Sequence, residues 1–258
     1  MSAPLRLERD GALAVMTFDA PPLNLFNRAM FDAFGAAVRE LGADPPRGLL
    51  IRADHRAVSG GVDVHEFDGL SAQQGADLWT ELIASAQILE DLPCPTIFAA
   101  HALCLTAAFE IALACDLLIA TESARFGLVE IVVGLTPSMG GPQRLAERAG
   151  PARAKELIYT GGLFGAAELE RWNVVNRVLP DEGFDEAARA FARKIAEGPT
   201  VAHAATKAII ARQIADGVRA ADAIVPEVSG PLFETEDLRV AVQSFLTEGP
   251  GKATYQGR

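Results

Sequence analysis

Two glutamates stand alone inside apolar runs of this chain. Glu110 lies in Thr106-Ala107-Ala108-Phe109-Glu110-Ile111-Ala112-Leu113-Ala114-Cys115-Asp116, and Glu130 in Phe126-Gly127-Leu128-Val129-Glu130-Ile131-Val132-Val133-Gly134. A carboxylate taken out of water is costly unless it is paired or neutralised. No Lys or Arg lies within four residues of Glu110, and Arg125 is the nearest to Glu130. Each, if buried, must find a distant partner or carry a raised pKa, the property a proton-transferring group needs. Taken singly, other readings stand beside this one. Glu110 misses the acidic position of a capping box by one residue, since that position falls on Phe109, and an ion pair with a distant arginine also suits it. Glu130 also fits a strand-edge carboxylate facing solvent. Taken together, two acids in apolar surroundings favour function.

Backbone donors come next. Thr106 is a candidate N-cap, which makes Ala107 the first helical residue, with an N–H that has no intrahelical acceptor. Gly60 and Gly61 follow a short apolar run and could expose N–H groups in a tight turn. Two such amides aimed at one point make an oxyanion hole, although an ordinary loop and an ordinary helix start would look the same. Other motifs carry less. Ser138-Met139-Gly140-Gly141 resembles a nucleophile loop, but nothing ties His55, His65, His101 or His203 to Ser138 as a base. Gly251-Lys252 lacks the first glycine of a P-loop, and Ala253 stands at the Ser/Thr position. No GxGxxG follows a strand. His65-Glu66 lacks metal-ligand spacing, so no metal is expected.

The elements that must position these residues alternate. Leu5 to Phe18 reads as a hairpin with Asp10-Gly11 at its turn, and Pro21-Pro22 stops the second strand. Asn27 can cap a helix to about Leu41, with Met30, Phe31, Phe34, Val38 and Leu41 at helical period. Gly48–Ile51, Pro95–Ala100 and Leu117–Ala120 read as buried strands. Helices are expected over 72–91 and from Thr106 to about Cys115. Solidly apolar strands alternating with helices imply an α/β fold with a parallel sheet covered on both faces. After Pro137 helices dominate: 141–148, 152–159, 166–172, 184–197, one long helix from Val201 to about Ala223, and a last one over 237–245. Only Val174–Leu179 reads as a strand there. The boundary falls near Gly198-Pro199, dividing residues 1–197 from 198–258.

The chain's 258 residues allow one large domain or one with an appendage, and 50% apolar with 22% charged residues reads as globular. The 23 basic and 34 acidic side chains leave a net charge of −11, which argues against nucleic acid or an anionic membrane as partner. Cys94, Cys104 and Cys115 are odd in number and suggest no disulfide framework. The stretch Met1-Ser2-Ala3-Pro4-Leu5-Arg6 has no secretory pattern, and no apolar run reaches the ~20 residues of a membrane span. A reducing cytoplasm is expected.

Taken in order, these segments resemble the crotonase (enoyl-CoA hydratase/isomerase) family over nearly the whole chain. Pro21-Pro22-Leu23-Asn24 looks like its P-x-x-N element. Arg56-Ala57-Val58-Ser59-Gly60-Gly61-Val62-Asp63-Val64 is similar to R-A-F-S-A-G-A-D-L. Leu92-Pro93-Cys94-Pro95-Thr96-Ile97-Phe98 looks like L-P-K-P-x-I-A, with Cys94 at the lysine position. The longest match runs from His101 to Asp116 and resembles N-G-x-A-x-G-G-G-x-E-L-A-L-A-C-D. Phe126–Glu130 resembles F-G-x-P-E, and Gly134–Leu145 resembles G-L-x-P-x-x-G-G-x-Q-R-L. The resemblance implies a spiral of ββα units with C-terminal helices that build a homotrimer or a dimer of trimers.

It also implies roles. The family's catalytic acids fall on Glu110 and Glu130, and its oxyanion-hole donors on Gly60 and Ala107. Gly61, Val62, Asp63 and Ser138 fall beside the acyl-CoA, and Arg56 and Lys252 could meet its phosphates, although each also suits a solvated surface charge. No cofactor is implied beyond the coenzyme A carried by the substrate. With both acids present, hydration of a 2-enoyl-CoA is the expected reaction. An enoyl-CoA isomerase, or a silent acyl-CoA binder, is the alternative. Departures from the pattern bear on the substrate: His101-Ala102 replaces Asn-Gly, Thr106-Ala107-Ala108 replaces the glycine run, and Val129 replaces proline.

Overall fold

A computed structural model describes residues 3–258. Met1 and Ser2, the first residues of the N-terminal stretch discussed above, lie outside the described residues. The chain opens on strands β1 (Leu5–Asp10) and β2 (Leu13–Phe18), an antiparallel pair. Gly11 takes φ 61° at their turn, a conformation that suits a residue without Cβ. Helix α1 (Arg28–Ala43) follows, and the Asn27 side chain accepts the Met30 N–H at 3.1 Å, so the expected cap forms. Then come β3 (Gly48–Ala53), α2 (Ala72–Glu90), β4 (Thr96–Ala100), β5 (Leu103–Leu105), α3 (Ala107–Ala114), β6 (Leu117–Thr121) and β7 (Arg125–Gly127). Helices α4 (Gly141–Ala149) and α5 (Pro151–Thr160), strand β8 (Phe164–Gly165), α6 (Ala166–Arg171), β9 (Arg177–Leu179) and α7 (Phe184–Ala196) complete the first part. Three helices end the chain: α8 (Thr200–Asp216), α9 (Val218–Ser229) and α10 (Glu236–Glu248).

Six strands form the main sheet in the order β1-β2-β3-β4-β6-β9, parallel throughout except for the β1–β2 hairpin. Both faces are covered. Along β2 the side chains alternate: Ala14, Met16 and Phe18 join the large core packed by α1, α2 and α3, while Leu13 and Val15 face a second cluster built with α7. The approach of α7 is close enough that a Cβ on Gly48 would sit 2.8 Å from that of Ala196.

Three differences from the sequence reading matter. A second, three-stranded sheet, β5-β7-β8, was not foreseen, because strands of two or three residues carry no readable period. The long helix after Val201 is two helices, α8 and α9, broken at Gly217, whose φ 82° and ψ 171° lie outside helical space. The strand expected over Val174–Leu179 is shorter and begins at Arg177. No described helix is long and apolar enough to cross a membrane.

Candidate active site

The small sheet brings the two glutamate-bearing segments together. Strand β5 runs parallel to β7 with Leu105 opposite Gly127, and the Thr106 N–H extends the ladder by donating to the Gly127 carbonyl at 3.0 Å. Directly beyond β5 the chain enters α3 and Glu110. Directly beyond β7 it enters a short 3₁₀ turn, Glu130–Val133, whose first residue is Glu130. Glu130 therefore sits on a turn and not on a strand edge.

Both carboxyls line one cleft of about 780 Å³ that opens to solvent. Its walls are apolar, with Phe31, Phe67, Trp79, Leu82, Val132 and Val133 among them, and Gly60, Gly61, Thr106 and Ala107 lie along it. Glu110 is 3% exposed. Its Oε1 accepts the N–H of Met139 at 2.9 Å and of Gly141 at 2.8 Å, and Oε2 has no partner among the described residues. Burial and the neighbouring Glu130 charge push the Glu110 pKa up to about 8, against the opposing pull of the two amides and the Arg144 charge. Burial pushes Glu130 up to about 7, and its Oε2 is buried with no hydrogen-bond partner among the described residues. Acids with pKa values near neutrality and no cationic partner are equipped to exchange protons at physiological pH.

The backbone donors divide differently from the expectation. The Gly60 N–H donates to the Leu23 carbonyl at 2.8 Å, and the Gly61 N–H to the Ser59 hydroxyl at 3.0 Å. Neither is available to a ligand, because the segment is stitched to the chain around Leu23. The next amide is different. Phe26 brackets Val62, donating to the Gly61 carbonyl and accepting from the Asp63 N–H, each at 2.9 Å. This leaves the Val62 N–H without an acceptor among the described residues, on a residue that lines the cleft. At the start of α3 the Ala107 N–H also has no acceptor. Thr106 occupies the N-cap position, but its side chain makes no capping bond.

The other candidates are dispersed. Ser138 lines the cleft with its hydroxyl donating to the Thr136 carbonyl at 2.8 Å. Asp63 turns away to accept the His65 N–H at 3.1 Å and to pair with the His65 ring at 2.7 Å. Arg56 and Lys252 are exposed, outside the cleft lining, and in no ion pair among the described residues. Among the described residues no cluster of three His, Cys, Asp or Glu side chains could hold a metal ion.

Sequence reasoning missed the Met139 and Gly141 amides. The glycine pair Gly140-Gly141 was the available signal: a Cβ on Gly141 would lie 2.9 Å from Glu110 Oε1. It also missed Val62, since which amide of a loop is free depends on pairing with the distant Leu23 and Phe26.

The sequence pattern of the enoyl-CoA hydratase/isomerase family matches residues 8–256. A probable enoyl-CoA hydratase of Rhizobium meliloti (strain 1021) is 31% identical over 98% of both chains. A short-chain-enoyl-CoA hydratase of Clostridium acetobutylicum is 31% identical over 93% of both chains. Among solved structures, an enoyl-CoA hydratase subunit from Geobacillus kaustophilus HTA426 superposes with a TM-score of 0.91 at 28% identity, covering 99% of this chain and 98% of that one. The chain belongs to the enoyl-CoA hydratase/isomerase family. Its crotonase-type fold and C-terminal helices agree with that membership.

Proposed function

We propose that the protein adds water across the double bond of a 2-enoyl-CoA thioester. One observation carries this reading: two carboxyls with raised pKa values and no ion-pair partner among the described residues share an apolar cleft with the acceptor-free amides of Val62 and Ala107. The thioester oxygen accepts from these two N–H groups, which stabilise the negative charge that grows there as water attacks. Val62 takes the role that the family resemblance assigns to Gly60. Glu110, with Oε1 held by the Met139 and Gly141 amides, uses Oε2 to orient water and take its proton as the oxygen bonds to C3. The displaced electron pair passes through C2 to the thioester oxygen, and Glu130 gives its proton to C2 as the carbonyl reforms. The reaction runs from the form that keeps the pair's one proton on Glu130 and leaves Glu110 as the base.

The scheme asks for no metal and no cofactor beyond the coenzyme A of the substrate. Arg56 and Lys252, both unpaired, suit its phosphates, and the Phe31–Trp79–Leu82 wall suits the acyl tail. Residues 198–258 form an oligomerisation region that builds a homotrimer or a dimer of trimers. The support is apolar surface on the final helical segments: Phe233 is 82% exposed, Phe245 60% and Leu246 78%. Free buried Cys94, Cys104 and Cys115 suit a reducing cytoplasm.

Crotonyl-CoA tests the reaction. Hydration removes the conjugated absorbance, and Glu110→Gln is expected to slow turnover by at least about 10²-fold. Unchanged turnover in that variant would overturn the role of Glu110. Isomerisation is distinguished in the same assay, since a 3-enoyl thioester would gain conjugated absorbance and depend most on Glu130.

A further inference from the structure

Arg144 holds a charge out of water without touching the cleft. It stands on the first turn of α4, is 8% exposed and forms no part of the cleft wall. A buried guanidinium is costly unless it is paired and hydrogen-bonded. Its partner is Glu90, the last residue of α2. Nε donates to Glu90 Oε1 at 3.0 Å and Nη2 to Oε2 at 2.5 Å, a two-pronged contact that fixes the guanidinium plane.

The remaining prong meets the turn that grips Glu110. Nη1 donates to the Gly140 carbonyl at 3.4 Å and fills the space beside that residue, so that a Cβ on Gly140 would lie 1.8 Å from it. Gly140, at φ 105°, joins Met139 to Gly141, and the N–H groups of both donate to Glu110 Oε1. Contacts therefore run from Glu90 through Arg144 and Gly140 to Glu110. The Arg144 charge favours the ionised form of Glu110, and the Glu130 charge opposes it. The other charges on elements packed against α3 are engaged elsewhere or exposed. Strands β5 and β6 carry none. On α2, Asp77 bonds to Gln73 and Glu81 to Arg28. On α4, Arg148 donates to the carbonyls of Leu113 and Cys115 at the far end of α3, and Glu147 is exposed.

We infer that Arg144, clamped by Glu90, is a positioning residue that holds the Met139–Gly141 turn against Glu110 and so aims its carboxyl. The inference rests on the hydratase reading for what that carboxyl does, and not for how it is held. Loss of the fork lets Oε2 drift from the attacking water, which lowers kcat more than it raises KM. Loss of the charge raises the proton affinity of the Glu110–Glu130 pair, so the pH dependence of the reaction moves to higher pH.

Three variants and two readouts test it. Arg144→Met removes both fork and charge. Arg144→Lys keeps the charge and loses the fork. Glu90→Gln, at a side chain 45% exposed, weakens the clamp and leaves Arg144 in place. The readouts are the pH dependence of crotonyl-CoA hydration and a carbon-13 NMR titration of the side-chain carboxyls in glutamate-labelled protein, with the Glu110 signal assigned by Glu110→Gln. Arg144→Met is expected to lose at least about tenfold in kcat with KM within about threefold. Its kcat/KM profile and its Glu110 titration should both move to higher pH. Arg144→Lys and Glu90→Gln should each lose about threefold in kcat, and Arg144→Lys should keep the wild-type pH dependence. Adding Glu90→Gln to Arg144→Met should cost nothing more, because Glu90 acts through Arg144. A merely structural role predicts lower melting temperatures with kcat and the Glu110 titration unmoved, and that result would overturn the inference. Should Arg144→Met fail to fold, wild-type kcat in both Arg144→Lys and Glu90→Gln would overturn it as well. Should the wild type hydrate no enoyl thioester, the hydratase reading falls, and the carboxyl titration still decides whether Arg144 acts on Glu110.

Discussion

Glu110 and Glu130 tie activity to stability. Both carboxyls have folded pKa values above the ordinary 4.5, near 8 and near 7. The native state therefore binds these protons more tightly than the unfolded chain. The resulting stabilisation is fully present below about pH 4.5 and declines as pH rises through about 7 and then about 8. Glu110→Gln remains neutral and escapes most of that decline. Its stability relative to wild type should grow between roughly pH 5 and roughly pH 9, by a few kcal/mol at the upper end. Urea unfolding across that range measures the difference, and parallel curves would mean that Glu110 ionises without penalty. Gly141 offers a second test. Gly141→Ala would press a methyl group onto Glu110 Oε1 and Cγ, at 2.9 and 3.0 Å. The carboxyl must shift, and kcat for hydration should fall about 10²-fold in a chain that still folds. Wild-type kcat in that variant would show that the position of Glu110 tolerates such a displacement.

At the scale of elements, the readable parts were those with a strong local signal. The mostly apolar β2 and β4 and the Asn27 cap were evident from composition and spacing. So was the start of α3 at Ala107, and with it the position of Glu110 in the helix. What escaped depends on distant pairing or on one residue's backbone. Strands β5 and β7 exist because Leu103–Leu105 finds Arg125–Gly127 across the intervening α3 and β6. The free amide falls on Val62 because Gly60 pairs with Leu23. The α8–α9 break rests on Gly217 alone: apolar residues continue on both sides, so the pattern reads as one helix. Gly217→Ala would force a Cβ into a φ 82°, ψ 171° conformation that is essentially reserved for glycine. It should cost about 1–3 kcal/mol, read as a lower urea midpoint at unchanged slope. A midpoint equal to that of wild type would mean that the two helices can fuse without loss.

The whole molecule divides unevenly between buried and uncovered surface. The main sheet is enclosed on both faces, whereas α8 and α9 each bury a single residue, Ala205 and Ala221. Phe233, Phe245 and Leu246 stand out in water. A net charge of −11 resists close approach of copies unless such apolar patches offset it. On the proposed assembly through residues 198–258, Leu246→Asp together with Phe245→Asp should therefore shift sedimentation toward the monomer while the core stays folded. A variant that keeps the wild-type mass would rule these residues out as the contact of the proposed assembly.

The pairing of Leu105 with Gly127 reaches beyond the two strands that make it. Both acids leave from the end of the same ladder, one into a helix and one into a turn, so a single register fixes the gap between them. Side chains along the cleft wall can be exchanged, and a different tail admitted, while that gap is preserved. Slipping the ladder by one step would shift one carboxyl relative to the other and spoil the reaction for every substrate at once. On the proposed mechanism, the cleft wall can thus change what it accepts far more easily than the strands can change how far apart the acids stand.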